Sequence, residues 1–336
     1  MISPALSKLI ALTAAMLLSG CMATKVDLAK FREASLKEAD IMPTKAQLER
    51  LRTKIVVFET DDAAASHIRN AGLGATLSST VEKELAVSGA EIIDRSIANK
   101  LGDELRLAES RGTGNYQGPE VAQFAIRGKI SSAEYSAKFN EATSYTDKKT
   151  GKTSTTPSSY SHAANVVGNI NVYELPSLRI VSSVKISGRG NANDPKQGAN
   201  PQTGATLLRV ATESAVEDSI HELKNFFAPK GYVVEKRVDG DKSIFKILMG
   251  RDQGVKAEDK VVIYSLRRKT NALTGVESIE EMPVAEAVVS EHVSNDESWA
   301  SLADKQAAGK IRLGDFVKVK YSEASFLQKA LKNALK

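Results

Sequence analysis

The sequence predicts an α/β (α+β) fold: a mixed sheet flanked by helices and carrying a long β-hairpin, followed by a small all-β barrel-like domain. Three observations predict it. Short apolar runs alternate with helix-period stretches over the first half of the chain. A segment of period-two alternation then marks strands with one wet face. Beyond Pro229, short strands separated by glycine turns replace any helical pattern.

The chain opens on an export signal. Residues 1–20 carry one charge, Lys8, then the apolar run Leu9 to Leu18 and small residues, the layout of n-region, h-region and cleavage site. About ten apolar residues fall short of the roughly twenty that a spanning helix needs, so removal is expected. Leu18-Ser19-Gly20-Cys21 resembles a bacterial lipobox, in which the thiol is acylated and the cysteine becomes the new N-terminus. Cys21 is the one cysteine of the chain. It has no disulfide partner here, and a covalent lipid accounts for it. An ordinary signal peptide that happens to contain Cys21 is the competing reading. By resemblance to known sorting behaviour, Met22 in place of Asp favours the outer membrane, with the protein facing the periplasm.

Residues 21–52, rich in Lys, Glu and Ala with Pro43 near the middle, read as a lipidated tether, helical in part around Leu28 to Ala39. The α/β domain is placed at 53–228. Lys54-Ile55-Val56-Val57-Phe58 is a continuous apolar run suited to a strand buried on both faces. Ile68, Leu73, Leu77, Val81 and Leu85 give the first helix, ended at Ser88-Gly89. Glu91 to Arg95 forms the second strand, and Ser96 caps a second helix running to about Ser110, with Ile97, Leu101, Leu105 and Ala108 on its apolar stripe. After glycines 112, 114 and 118 come the strand Phe124 to Ile130 and its extension, in which Ala133, Tyr135, Ala137 and Phe139 alternate with polar residues. A polar stretch from Thr143 to Ser159 leads back through Val166, Gly168, Ile170 and Val172, making a long hairpin with a mobile tip. A strand at Leu178 to Ile186 precedes a loop over Gly188 to Gly204, and a helix follows with Leu207, Val210, Ala211, Ala215, Val216, Ile220 and Leu223 on one stripe.

The second domain, 229–321, is expected to hold six strands, at 232–237, 243–249, 260–265, 284–292, 299–302 and 316–321. Residues 322–336 form a basic amphipathic helix that packs on the body or on a neighbouring subunit, a membrane surface being the lesser reading.

Composition narrows the chemistry. Acidic residues are mixed with basic ones along a chain of net charge +5, and aromatics make up 5%, so neither a polyanion-binding face nor base-stacking platforms stand out and no nucleic-acid partner is expected. Histidines at 67, 162, 221 and 292 show no metal-ligand spacing, so no metal is expected. Gly151-Lys152-Thr153 resembles the end of a phosphate loop but lies in a polar hairpin tip with Thr146 where the motif needs glycine. Ser182 and Lys185 match a Ser-x-x-Lys pair, yet residues three apart on a strand face opposite ways. Gly72-Leu73-Gly74 lacks the third glycine of a dinucleotide fingerprint. Asp61-Asp62 reads as a solvated loop. No nucleophile, base and orienting group occur as a set, so no enzyme activity, cofactor or small-molecule substrate is expected.

The order of these elements carries a resemblance. The lipobox, "KIVVFE", the helix from Gly74, "EIIDR", "FAIRGKI" and "VYELPSLRIVSSVKISG" make residues 52–226 similar to the CsgG family of curli-secretion lipoproteins and its flagellar relatives. Gly250 to Val255, Asp259 to Tyr264 and Leu313 to Val319 resemble the C-terminal domain of the flagellar protein FlgT. The resemblance implies a homo-oligomer or a component of a larger envelope complex. Two functions follow from it: an assembly component of a cell-envelope machine, or an oligomeric secretion channel. A channel strand needs about nine to eleven residues with an apolar outer face. The face Ala133 to Phe139 is shorter and lapses into charge, which favours assembly. Tyr135, Phe139, Val166 and Ile170 are therefore the candidate interaction residues of the hairpin.

Overall fold

The computed structural model describes residues 25–49, 51–60, 71–96, 98–111, 122–196, 198–302 and 304–323. Leu18, Ser19, Gly20 and Cys21, the Asp61-Asp62 loop, the glycine-rich turn after Arg111 and nearly all of the 322–336 helix lie outside them. Two units divide the chain: Thr53–Phe227, and Ala228–Lys320 together with the N-terminal segment up to Arg52.

The N-terminal segment corrects the tether reading. It has no α-helix around Leu28 to Ala39. A 3-10 turn, Leu28–Lys30, is capped by the Asp27 carboxylate and leads into β1 (Arg32–Ala34). A one-turn helix, α1 (Lys45–Glu49), follows. Strand β1 is one component of the β unit described below, and the segment acts as a strap across that unit.

The α/β unit is built on five strands. They are β2 (Lys54–Phe58), β3 (Glu91–Ile93), β4 (Phe124–Asn140), β7 (Ser159–Glu174) and β8 (Arg179–Asp194); the intervening β5 (Thr143–Thr146) and β6 (Thr153–Thr156) form a separate tip hairpin. Sheet order is β3-β2-β4-β7-β8. Strands β3, β2 and β4 are parallel, and β4, β7 and β8 are antiparallel. Among the described residues three helices belong to the unit: α2 (Leu73–Val87), α3 (Asn99–Arg111) and α4 (Pro201–Phe226).

Alternation along β2 decides which helix covers which face. Ile55 and Val57 point into a core shared with Leu73, Leu77, Val81 and Leu85 of α2 and with the apolar stripe of α4. Val56 points the other way, against Leu101 and Leu105 of α3. Lys224 and Glu84 join α4 to α2 at 2.7 Å, half-buried. Three expectations needed correction here. Asp94, not Ser96, holds the turn before α3, accepting the Ser96 N–H at 2.7 Å; these contacts with Ser96 keep its carboxyl below the ordinary range. The stripe of α4 omits Val210, which is exposed, and takes in Leu208 and Thr212. The segment after Ile186 is not a loop but strand through Asp194. Its glycines serve the helix above: a Cβ on Gly188 would strike the backbone of Ala211 and Ala215, so α4 can lie this close only over glycine.

The β unit is a closed barrel. Its strands are β9 (Lys230–Asp239), β10 (Lys242–Ile247), β11 (Lys260–Thr270), β12 (Glu277–Val293), β13 (Ser298–Leu302) and β14 (Phe316–Val319). They pair in the order β9-β10-β13-β12-β11-β14, and β14 returns to β9 through Phe316↔Tyr232. Closure removes the exposed edges that six short strands would otherwise present. Two turns need glycine for its positive φ, Gly254 and Gly314 (77° and 86°). Strands β11 and β12 overrun the expected limits and continue past the barrel as a two-stranded arm, Leu266↔Glu281 to Thr270↔Glu277.

The strap is fastened to this barrel. Arg32, Glu33 and Ala34 of β1 pair with Val238, Arg237 and Lys236 of β9. Val26 packs with Ile244 and Trp299, its N–H donates to Glu291 at 2.9 Å, and its carbonyl meets His292 Nε2 at 2.7 Å. Arg312 pairs with Asp40 at 2.6 Å. Trp299 is the sole tryptophan and is 7% exposed. We expect Val26→Asp to lift the strap, because an unpaired carboxylate cannot be buried beside an indole. Red-shifted emission from Trp299 would report it; unchanged emission would mean the strap does not depend on Val26.

Candidate functional site

The hairpin singled out from sequence does form, as β4 and β7, paired from Phe124↔Glu174 to Asn140↔Ser159. Its apolar face is not a free surface. Val166 and Ile170 are fully buried under α4, which lies across the face that period two had marked. Tyr135 packs against the same core. Its hydroxyl lies 2.8 Å from Nδ1 of the buried His162, and the two rings are parallel. Gly204 of α4 sits over the Tyr135 ring, where a Cβ would come within 2.9 Å. Of the four candidates only Phe139 is on the surface, 51% exposed and tilted against Tyr160 at 5.0 Å. The sequence reading offered this face to a partner; instead this chain's own helix α4 covers it, which withdraws Tyr135, Val166 and Ile170 as interaction residues.

What the fold leaves open is the opposite face of β4, β7 and β8. Near the base it is covered by α3, through Val56, Ala125, Tyr173 and Leu178. Farther out the register sets polar rows side by side: Lys129, Asn169 and Lys185, then Glu134, Asn165 and Arg189. Asn171, in the neighbouring row with Ser183, joins that row to the first, its Oδ1 accepting from Asn169 Nδ2 at 2.8 Å and from Ser183 Oγ at 2.7 Å. Strand β8 is the last strand of the sheet, so from Arg179 to Asn193 one edge faces no other strand among the described residues. Strand β4 is flanked by β2 only as far as Arg127, and its outer part meets no other strand on that side among the described residues. Beyond them the tip hairpin is a ladder of exposed Ser and Thr, with Tyr145 71% exposed. Its turn is held by Asp147, whose carboxyl is lowered by the N–H of Lys149 and the hydroxyl of Thr150.

A second projection is the arm of the β unit. At its end Leu273 is 97% exposed, and Val276 and Ile279 are more than half exposed. Arg268–Glu277 and Lys269–Glu280 bridge its strands at 3.7 and 3.3 Å, exposed pairs of small energetic weight. Sequence reading stopped both strands short of this arm, because its residues are polar and lack the alternation of a half-buried strand. Among the described residues no group of His, Cys, Asp or Glu could hold a metal ion. No helix among them is long and apolar enough to cross a membrane.

No protein-family model matches this chain. No curated protein matches it either. Among solved structures it is similar to the PelC dodecamer from Paraburkholderia phytofirmans, at 9% identity over 55% of this chain and 95% of that one, with a TM-score of 0.22. A point variant of that dodecamer gives 10% identity, 55% and 97% coverage, and a TM-score of 0.22. A structure described as a neuraminyllactose-binding hemagglutinin homolog from Helicobacter pylori gives 12% identity, 57% and 91% coverage, and a TM-score of 0.29. Superpositions this loose say nothing of what the chain does.

Proposed function

We propose that this protein is a non-enzymatic assembly component of a cell-envelope machine, anchored in the outer membrane by lipid on Cys21 and facing the periplasm. The observation that carries the reading is the open edge of β8. A strand whose outer edge, from Arg179 to Asn193, meets no other strand among the described residues is a template for strand addition, by a second copy or by another envelope protein. Lys185 and Arg189 stand on that strand, and such charges discourage indiscriminate pairing while leaving a matched partner free to bind.

The alternative, an oligomeric secretion channel, asks the strands to present an apolar face to lipid. Here the open face carries Lys129, Glu134, Lys185 and Arg189, each costly at the bilayer midplane. Amide hydrogen exchange tests the preferred reading. In dilute protein every second amide of β8 should exchange fast; in the assembled state, with the oligomer confirmed by light scattering, those amides should become protected. Protection that does not change on assembly would remove β8 from the interface. An assembly that forms only in detergent would favour the channel instead.

A further inference from the structure

The arm of the β unit is a projection that strand addition at β8 leaves unused. Among the described residues, β11 from Ser265 outward faces no strand but β12, and β12 from Glu277 to Glu286 faces none but β11. The arm is thus a two-stranded ribbon with two open edges. Its charge is divided between them. Arg267, Arg268 and Lys269 all stand on β11, whereas Glu277, Glu280 and Glu281 all stand on β12. Over residues 265–283 the two signs cancel, so the ribbon is polarised across its width and carries no net charge.

A partner has to match both edges and cover the apolar tip, where Leu273, Val276 and Ile279 are exposed. A second copy of the arm does so. Set alongside and pointing the same way, its β12 runs inward against the outward-running β11 of the first, the antiparallel arrangement that the ribbon already has. Cationic edge then meets anionic edge. Like edges would set cations beside cations or carboxylates beside carboxylates, which is unfavourable between cross-strand neighbours. No existing pair has to break: Arg268 keeps Glu277, Lys269 keeps Glu280 and Glu281 keeps Lys318, while the neighbouring edge adds opposite charge on the open side. An anionic membrane is a poor occupant, because the arm has no basic excess to offer it. We propose that the arm joins copies of this chain head to tail, the β11 edge of one against the β12 edge of the next. Charge selects the orientation, and burial of Leu273 and Val276 between adjacent tips supplies affinity. A contact between unlike edges leaves one of each free at the ends, so it repeats, into a closed ring or an open filament.

This makes a second copy the partner in the assembly role, and it rests on that reading but not on β8. Residues 22–336 contain no cysteine, so Ala272→Cys puts a single dye in the tip turn. Adjacent tips would lie about 10 Å apart, two strand spacings, so donor- and acceptor-labelled copies should show energy transfer without detergent. Exchanging the two ion pairs, Arg268→Glu with Glu277→Arg and Lys269→Glu with Glu280→Lys, keeps each arm paired within itself and reverses the net sign of each edge. All four side chains are exposed, and the fold should survive. Copies of the exchanged variant should show transfer among themselves, whereas their association with copies that keep the natural charges should be about tenfold weaker. Leu273→Ser should also weaken association about tenfold. Undiminished transfer in the mixture would overturn the head-to-tail match. Absence of transfer in every sample would remove the arm from the interface, and the assembly role would then stand or fall on protection of the β8 amides. A tip dye that responds to phosphatidylcholine vesicles, with no transfer between copies, would assign the tip to lipid and overturn the proposal.

Discussion

Replacing Gly188 by alanine should unfold the α/β unit at a temperature roughly 10 °C lower, a loss of about 3 kcal/mol. A methyl group at this position runs into the carbonyl of Ala211 and the backbone of Ala215, and neither is the end of a flexible side chain. Helix α4 must therefore lift or β8 must bend. Both belong to the core that includes Leu207, Ala211, Ala215 and Val216, so the displacement opens gaps along the row. Ser187→Ala, one residue away on the exposed face, should change stability by less than about 0.5 kcal/mol. Calorimetry of the pair decides it. A Gly188→Ala protein as stable as wild type would mean that α4 adjusts freely over β8.

The second large effect is a pH dependence seated in the barrel. Asp315 is fully buried; its Oδ2 accepts the Arg312 N–H at 2.7 Å, and its Oδ1 has no hydrogen-bond partner among the described residues. Burial pushes its carboxyl up to about 6, against the lowering effect of the Arg312 N–H and guanidinium, with Asp40 adding to the rise. Because the folded pKa lies above the unfolded one, the native state holds the proton more tightly. Stability is full below about pH 4, falls as pH rises through 6, and stays reduced by about 3 kcal/mol at neutral pH. Asp315→Asn removes the charge and keeps an acceptor for Arg312. The variant should lose the slope between pH 4 and 6 and unfold at a higher temperature than wild type at pH 7.5. The net gain is smaller than the full cost, because the amide nitrogen inherits the unpartnered position. Parallel pH profiles for wild type and variant would refute the assignment to Asp315.

Much of the fold was legible because burial imposes a period. Leu73, Leu77, Val81 and Leu85 recur at helical spacing and all four are buried, and the continuous run at 54–58 is a strand covered on both faces. Six barrel strands could be read from alternation and turn residues, since a small barrel gives every strand one inner face. The misreadings have the opposite cause. The end of β8, "GRGNAND", is poor in strand formers, but Gly188 and Gly190 are there for a helix that is local to neither, and tertiary packing overrides propensity. The strap is held by backbone pairing of β1 and by a few apolar side chains, Val26, Leu28 and Phe31, too few to make a pattern.

On the proposed lipid anchor, the strap also sets the length of the leash. A flexible segment of thirty residues could let a body drift on the order of 100 Å from its anchor. Here the chain is already fastened to the barrel at Val26, and Lys25 is the first described residue. With lipid on Cys21, the four residues to Lys25 can extend no more than about 14 Å, whatever conformation they take. The barrel would then ride at the lipid headgroups rather than patrol the periplasm, and a partner would have to come to the membrane to meet it.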